Sequence, residues 1–250
     1  MTNPQFHTHQ GVRLAFRHQP GAGPLIVFLP GYMSDMQGSK AEALAAWATA
    51  NARALLRLDY SGCGESEGEF LHGSISRWAA DALALIDHVA PGAPVLLIGS
   101  SMGGWIGLRL GLALGPRLVG FIGIAAAPDF TDWGLGITPE DTALLASQGW
   151  FNRPSGYDAA GYRYSAAFIA DAATARLLAG PIAITAPVRL LHGQQDDAVP
   201  WQLSLEIAEK LHSADVQVTL VKDGDHRLSR EADIALLIAL TARLAEQVAP

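Results

Sequence analysis

The chain has 250 residues, enough for one large α/β domain, and half of them are hydrophobic, with a mean hydropathy of +0.20. A net charge of −7 and the lack of any basic run argue against a nucleic-acid surface. One cysteine excludes an intramolecular disulfide framework, and no uninterrupted apolar stretch reaches the length of a membrane span.

In chain order, short apolar runs alternate with helical stretches. Residues 1–18 lack the apolar core of a signal peptide and the Arg- and Ser-rich character of a transit peptide, so a cytoplasmic protein is expected. Residues 12–18 alternate apolar and polar side chains, as an edge or antiparallel strand does. A turn at 21–24 leads into the apolar run 25–29, typical of a strand buried on both faces. A loop at 30–35, an Ala-rich helix at 41–52, a strand at 54–58 and a Gly/Ser turn region at 59–66 follow. Residues 75–89 predict a helix with Trp78, Ala82, Leu85 and Val89 on one stripe. A strand at 94–98 and a helix at 105–114 flank a second Gly/Ser turn. Further strands are expected at 118–124, 188–191 and 216–221, and helices at 203–211 and 231–248. Strands alternating with helices predict an α/β fold, with a mostly parallel central sheet covered by helices on both faces.

One segment, about 130–186, breaks the alternation. It shows no clear strand and holds Trp133, Trp150, Phe151, Tyr157, Tyr162, Tyr164 and Phe168, with helical patches at 139–147 and 165–178. It is expected to be a small helical cap inserted into a single domain spanning 1–250, because so long an insertion in an α/β domain is usually functional.

The turn between the strand at 94–98 and the next helix reads Gly99-Ser100-Ser101-Met102-Gly103. A serine held on a sharp strand-to-helix turn needs small residues two positions away on each side. Ser101 has Gly99 and Gly103 there, whereas Ser100 has Ile98 and Met102, so Ser101 is the candidate nucleophile. A serine hydroxyl is a poor nucleophile at neutral pH and needs a base oriented by a third group. In this architecture the acid and then the histidine follow the serine. Of the eight histidines, only His192, His212 and His226 come after Ser101. His192 ends an apolar strand, where packing or a local hydrogen bond is expected, and His212 closes a helix. His226, in the turn between the last strand and the last helix, is the candidate base. The acid is expected after the strand at 188–191, where Asp196 fits the spelling H-G-x-x-D-x-x-V-P better than Asp197 does. Asp129 is the second choice. An oxyanion needs two N–H donors, and these are expected from Met102 and from Tyr32, in a loop where Pro30 stands for the usual His.

The stretches FLPGYMSDM (28–36), RLDYSGCGESE (57–67), GSSMGGW (99–105) and RLLHGQQDDAVPW (189–201), followed by Asp225-His226-Arg227, resemble the branch of the α/β-hydrolase superfamily that includes a mitochondrial palmitoyl-protein thioesterase and acyl-glucuronide esterase. The resemblance implies catalytic roles for Ser101, Asp196 and His226. The reading that follows is a serine esterase or thioesterase forming an acyl-enzyme at Ser101. Its partner is a small-molecule ester or acyl-thioester, or an acylated protein. No cofactor is expected, and no cluster has metal-ligand spacing. Trp150 and Phe151 are the candidate substrate contacts, with Trp201 as a further one. A peptidase, a C–C bond hydrolase or a perhydrolase on the same triad, and a non-catalytic binding protein, remain open. Cys63 is expected to be structural.

Overall fold

The structure, a computed structural model, describes residues 3–155 and 159–248. Tyr157, one of the aromatic residues of the inserted segment, lies outside the described residues.

An eight-stranded sheet forms the centre, in the order β1-β2-β4-β3-β5-β6-β9-β10. Its strands are β1 (Gln5–His9), β2 (Val12–Gln19), β3 (Ala22–Leu29), β4 (Arg53–Leu58), β5 (Val95–Ser100), β6 (Leu118–Ile124), β9 (Val188–Gly193) and β10 (Val216–Val221). Along that order, the neighbours from β4 through β3, β5, β6 and β9 to β10 pair in parallel, while β2 runs antiparallel to both of its neighbours. This is the α/β-hydrolase architecture. The edge strand β1 was not expected from the sequence, because QFHTH is polar and carries little of an apolar alternation.

Period-two alternation sorts side chains to the two faces. In β3, Leu25, Val27 and Leu29 join one core cluster, while Ile26 and Phe28 join the other. The first cluster is closed by α2 (Ile75–Val89), α3 (Met102–Leu114) and α7 (Gln202–Lys210), and the second by α1 (Ser39–Ala50) and α8 (Glu231–Gln247). Both faces are covered, so the strands read as continuous apolar runs. α2 starts where Ser74 accepts the Arg77 N–H at 3.2 Å, and it buries Ile75, Trp78, Ala82, Leu85 and Ile86 along one stripe.

The segment between β6 and β9 holds α4 (Phe130–Trp133), α5 (Pro139–Gln148), α6 (Ala166–Thr174) and a hairpin of β7 (Trp150–Arg153) with β8 (Tyr162–Ser165). The hairpin departs from the expectation of a helical segment without strands. Four-residue strands contain only two alternations each, too few for a periodic signal.

Candidate active site

Every parallel strand delivers its following loop to the same edge of the sheet, and Tyr32, Ser101, Asp196 and His226 follow β3, β5, β9 and β10 there. Ser101 follows β5 with φ 55° and ψ −120°, a conformation that side chains rarely adopt. The turn is tight for a visible reason. A Cβ on Gly99 would lie 2.2 Å from the Gly103 carbonyl oxygen, and one on Gly103 would lie 2.1 Å from that of Leu29. Those are the two positions that the sequence argument required to be small. Ser101 also donates its N–H to the Ile124 carbonyl at 2.9 Å, which ties the turn to β6.

His226 Nε2 lies 3.2 Å from Ser101 Oγ, and its Nδ1 lies 2.8 Å from Asp196 Oδ2. The Asp196 side chain is fully buried, whereas that of His226 is 14% exposed. Asp196 Oδ1 accepts the N–H groups of Ala198 at 2.9 Å and Val199 at 2.7 Å. Burial alone would push its carboxyl up. The His192 and His226 hydrogen bonds and the Val199 N–H outweigh that, so it is held well below the usual carboxylate range. An ionised carboxylate fits the role of orienting an imidazole that gains charge.

Asp129, the alternative acid, is buried at the end of β6, and its oxygens accept the N–H groups of Leu177 and Leu178 at 2.8 to 3.0 Å. It fastens the chain after α6 to the sheet. Asp197 lines the cavity beside Ser101, and Asp225 accepts the Leu228 N–H at 2.9 Å as a turn residue.

Met102 is the first residue of α3, so its N–H belongs to the unpaired N-terminal turn. Gly31, next to Tyr32, packs so close to Ser101 that a Cβ there would lie 3.4 Å from the Ser101 Cβ. Tyr32, Met102, Ser101 and His226 all border one cavity of about 710 Å³, a size typical of small-molecule sites.

The aromatic and aliphatic lining of that cavity is Tyr32, Phe130, Trp133, Leu135, Tyr162 and Tyr164, with the rings of Tyr32, Phe130, Tyr162 and Tyr164 in contact as one wall. The lining also holds polar and charged residues: Ser34, Asp35, Ser39, Lys40, Arg227 and Ser229, with Asp197, and Arg153 beside Leu135. Lys40 donates to the Arg227 carbonyl at 2.5 Å, and burial, then the nearby Arg227 charge, push its ammonium down to about 8. Trp150, Phe151 and Trp201, the candidate substrate contacts, are not among the lining residues. Phe151 is fully buried beneath Tyr164, its partner across the hairpin, with ring centroids 5.5 Å apart. Trp150 faces the other side of the hairpin, where the Arg163 guanidinium lies 5.9 Å from its ring. The sequence signal for the aromatic lining was the i, i+2 spacing of Tyr162 and Tyr164, which puts both rings on one face of a strand.

His192 was expected to pack or to bond locally. It is fully buried, and its Nε2 lies 3.1 Å from Asp196 Oδ2. Cys63 is buried near Tyr32, and burial pushes its thiol up to about 12. Among the described residues, no group of three or more His, Cys, Asp or Glu side chains is arranged to hold a metal ion. No helix among them is long and apolar enough to cross a membrane.

The alpha/beta hydrolase family model matches residues 26–239. A mitochondrial palmitoyl-protein thioesterase of Mus musculus, ABHD10, is 42% identical over 227 residues, which cover 90% of this chain and 76% of that protein. The protein of the same name from Homo sapiens is 39% identical over 227 residues, covering 90% and 74%. Among solved structures, alpha/beta hydrolase domain-containing protein 10 from mouse superposes with a TM-score of 0.90 at 37% identity, covering 99% of this chain and 100% of that one. These relatives are mitochondrial, which overturns the expectation of a cytoplasmic protein. That expectation rested on the character of residues 1–18, and compartments are assigned by receptor-read targeting segments, not by the makeup of a folded domain.

Proposed function

This chain belongs to the alpha/beta hydrolase family, and from that premise we propose that it cleaves carboxylic esters or acyl-thioesters through an acyl-enzyme at Ser101. The observation that carries the reading is the hydrogen-bonded series Ser101–His226–Asp196, 3.2 and 2.8 Å, on a strained strand-to-helix turn. His226 Nε2 takes the Ser101 proton as Oγ attacks the acyl carbon. The N–H groups of Tyr32 and Met102 receive the oxyanion; losing one such donor typically costs about 2.7–4 kcal/mol. His226 then returns the proton to the departing alcohol or thiol. Water, activated by the same nitrogen, releases the acid and restores Ser101.

The substrate class has two supports. The relatives are named as palmitoyl-protein thioesterases, which favours an acyl-thioester, on a small molecule or on a protein. The aromatic wall of Phe130, Trp133, Tyr162 and Tyr164 suits an acyl group with substantial apolar surface, and the polar lining suits the leaving group. We read residues 1–250 as one domain with 130–186 inserted as a cap that carries this aromatic wall.

A fluorophosphonate probe tests the nucleophile. Wild type and Ser100→Ala are expected to label and Ser101→Ala is not; equal labelling of Ser101→Ala sinks the reading. p-Nitrophenyl esters and acyl-thioesters of graded length then rank ester against thioester and short chains against long.

A further inference from the structure

Four N–H groups converge on the buried Asp196 carboxylate: those of Ala198 and Val199 on Oδ1, and those of His226 and His192 on Oδ2. We propose that His192 is a positioning residue, which by donating from Nε2 to Asp196 Oδ2 fixes the rotation of that carboxylate and limits how strongly it holds the proton on His226. The proposal rests on the reading of Ser101, His226 and Asp196 as a hydrolytic triad.

The hydrogen-bond geometry settles the direction of the bond. Nε2 of His192 lies 3.1 Å from Asp196 Oδ2 and 3.1 Å from the Val199 carbonyl oxygen. An ionised carboxylate and a carbonyl oxygen only accept, so Nε2 carries a proton and shares it between them. The other ring nitrogen lies 2.7 Å from Ser204 Oγ, a residue of α7 that is 1% exposed. The ring is thus held at both nitrogens, between the end of β9 and α7, and cannot turn without stranding a buried acceptor.

Two consequences follow for the reaction. A carboxylate gripped from both sides keeps the His226 ring aimed at Ser101 Oγ. An oxygen that accepts from two imidazoles is also a weaker base than one that accepts from one. Without His192, Oδ2 binds the His226 imidazolium more tightly, and His226 becomes an active base only at higher pH. The other charged groups nearby are Asp35, Lys40, Arg153, Asp197 and Arg227, which line the cavity, and Asp225, which precedes His226 in the chain. None of them is altered by substitution at 192.

The test is the pH profile of kcat/KM on a p-nitrophenyl ester for wild type, His192→Leu and His192→Gln. His192→Leu is expected to lose about tenfold at its optimum, the scale of a hydrogen bond to a charged group, and to move its acidic limb to higher pH. His192→Gln, whose amide donates from the place of Nε2, is expected to restore the limb and most of the rate. A rate loss with an unmoved limb, or a Gln variant no better than Leu, overturns the proposal. Should His192→Leu fail to fold, Ser204→Ala carries the test. Removing that hydroxyl loosens the ring and should displace the limb in the same direction; an unmoved limb overturns the proposal here too. Fluorophosphonate labelling keeps the two readings apart. A wild type that does not label sinks the triad itself, whereas a labelled wild type with unshifted variants sinks only the role of His192.

Discussion

The hydroxyl of Tyr32 donates a hydrogen bond to the main-chain carbonyl of Arg163 at 2.5 Å, joining the loop after β3 to strand β8 of the inserted segment. The same ring stacks on Tyr164 with centroids 4.8 Å apart and meets Phe70, Phe130 and Phe168 edge-on. Tyr32 therefore spans the proposed oxyanion loop and the aromatic wall. Tyr32→Phe keeps the backbone N–H and the ring but leaves the Arg163 carbonyl without this donor. A stability loss of about 1 kcal/mol is expected, read as a Tm lower by roughly 2–4 °C. kcat/KM should fall more for long acyl chains than for acetyl; equal losses would uncouple the wall from the loop.

Asp196 and Asp129 predict opposite phenotypes. Asp196→Asn is expected to cut kcat by roughly 10⁴-fold, because an amide at Oδ2 disfavours the His226 tautomer that serves as base. Asp129→Asn should keep most activity and lose stability, since its carboxylate holds the N–H groups of Leu177 and Leu178. Steady-state kinetics beside thermal unfolding of both variants decide the matter, and reversed effects would move the acid to β6.

The proposed acyl wall can be separated from the residue beneath it. Trp133 borders the cavity, whereas Phe151 is buried beneath Tyr164. Trp133→Ala should flatten the rise of kcat/KM with chain length, at about 0.8 kcal/mol for each methylene that loses its apolar contact, with acetyl-ester turnover nearly unchanged. Phe151→Ala should instead cost about 3–5 kcal/mol of stability. A chain-length profile untouched in Trp133→Ala would place the acyl group elsewhere.

Burial pushes the Asp59 carboxyl up to about 6, against the downward pull of the Glu65 and Met36 N–H groups. In the window from the ordinary value of 3.8 up to about 6, the folded chain holds a proton that the unfolded chain has released. The contribution of Asp59 to stability is therefore greatest below this window and declines as pH rises through it. Denaturant titrations of wild type and Asp59→Asn should show the difference in unfolding free energy moving against the wild type across that window and constant above it. A pH-independent difference would mean that Asp59 titrates in the folded chain as it does in the unfolded one.

Cys63 should resist alkylation in the native protein at pH 8, because its thiol is buried and pushed up to about 12. Iodoacetamide is expected to modify it only after unfolding, as read by intact mass; rapid native labelling would place the thiolate in contact with solvent.

Much of this molecule is legible without coordinates because the signals are local. The choice of Ser101 over Ser100 as the candidate nucleophile follows from Gly99 and Gly103, and the clash that forces them to be small arises within five consecutive residues and the end of β3. The strands β3, β5, β6 and β9 announce themselves as apolar runs because helices cover both faces of the sheet. The order Ser101, Asp196, His226 follows from which strands carry which loops. What tertiary structure alone decided is which surfaces meet. Phe151 and Tyr162 belong to the same hairpin and are both aromatic, yet one fills the core and the other faces the cavity. That difference depends on how β7 and β8 pair and dock onto Tyr32, and neither four-residue strand has the length to state it. His192 likewise reads as the apolar end of a strand; its bond to Asp196 exists because the loop after β9 folds back over four residues and α7 brings Ser204 to the ring's far side. Side-chain contacts between distant segments are set by packing, and packing is a property of the folded chain, not of any window within it.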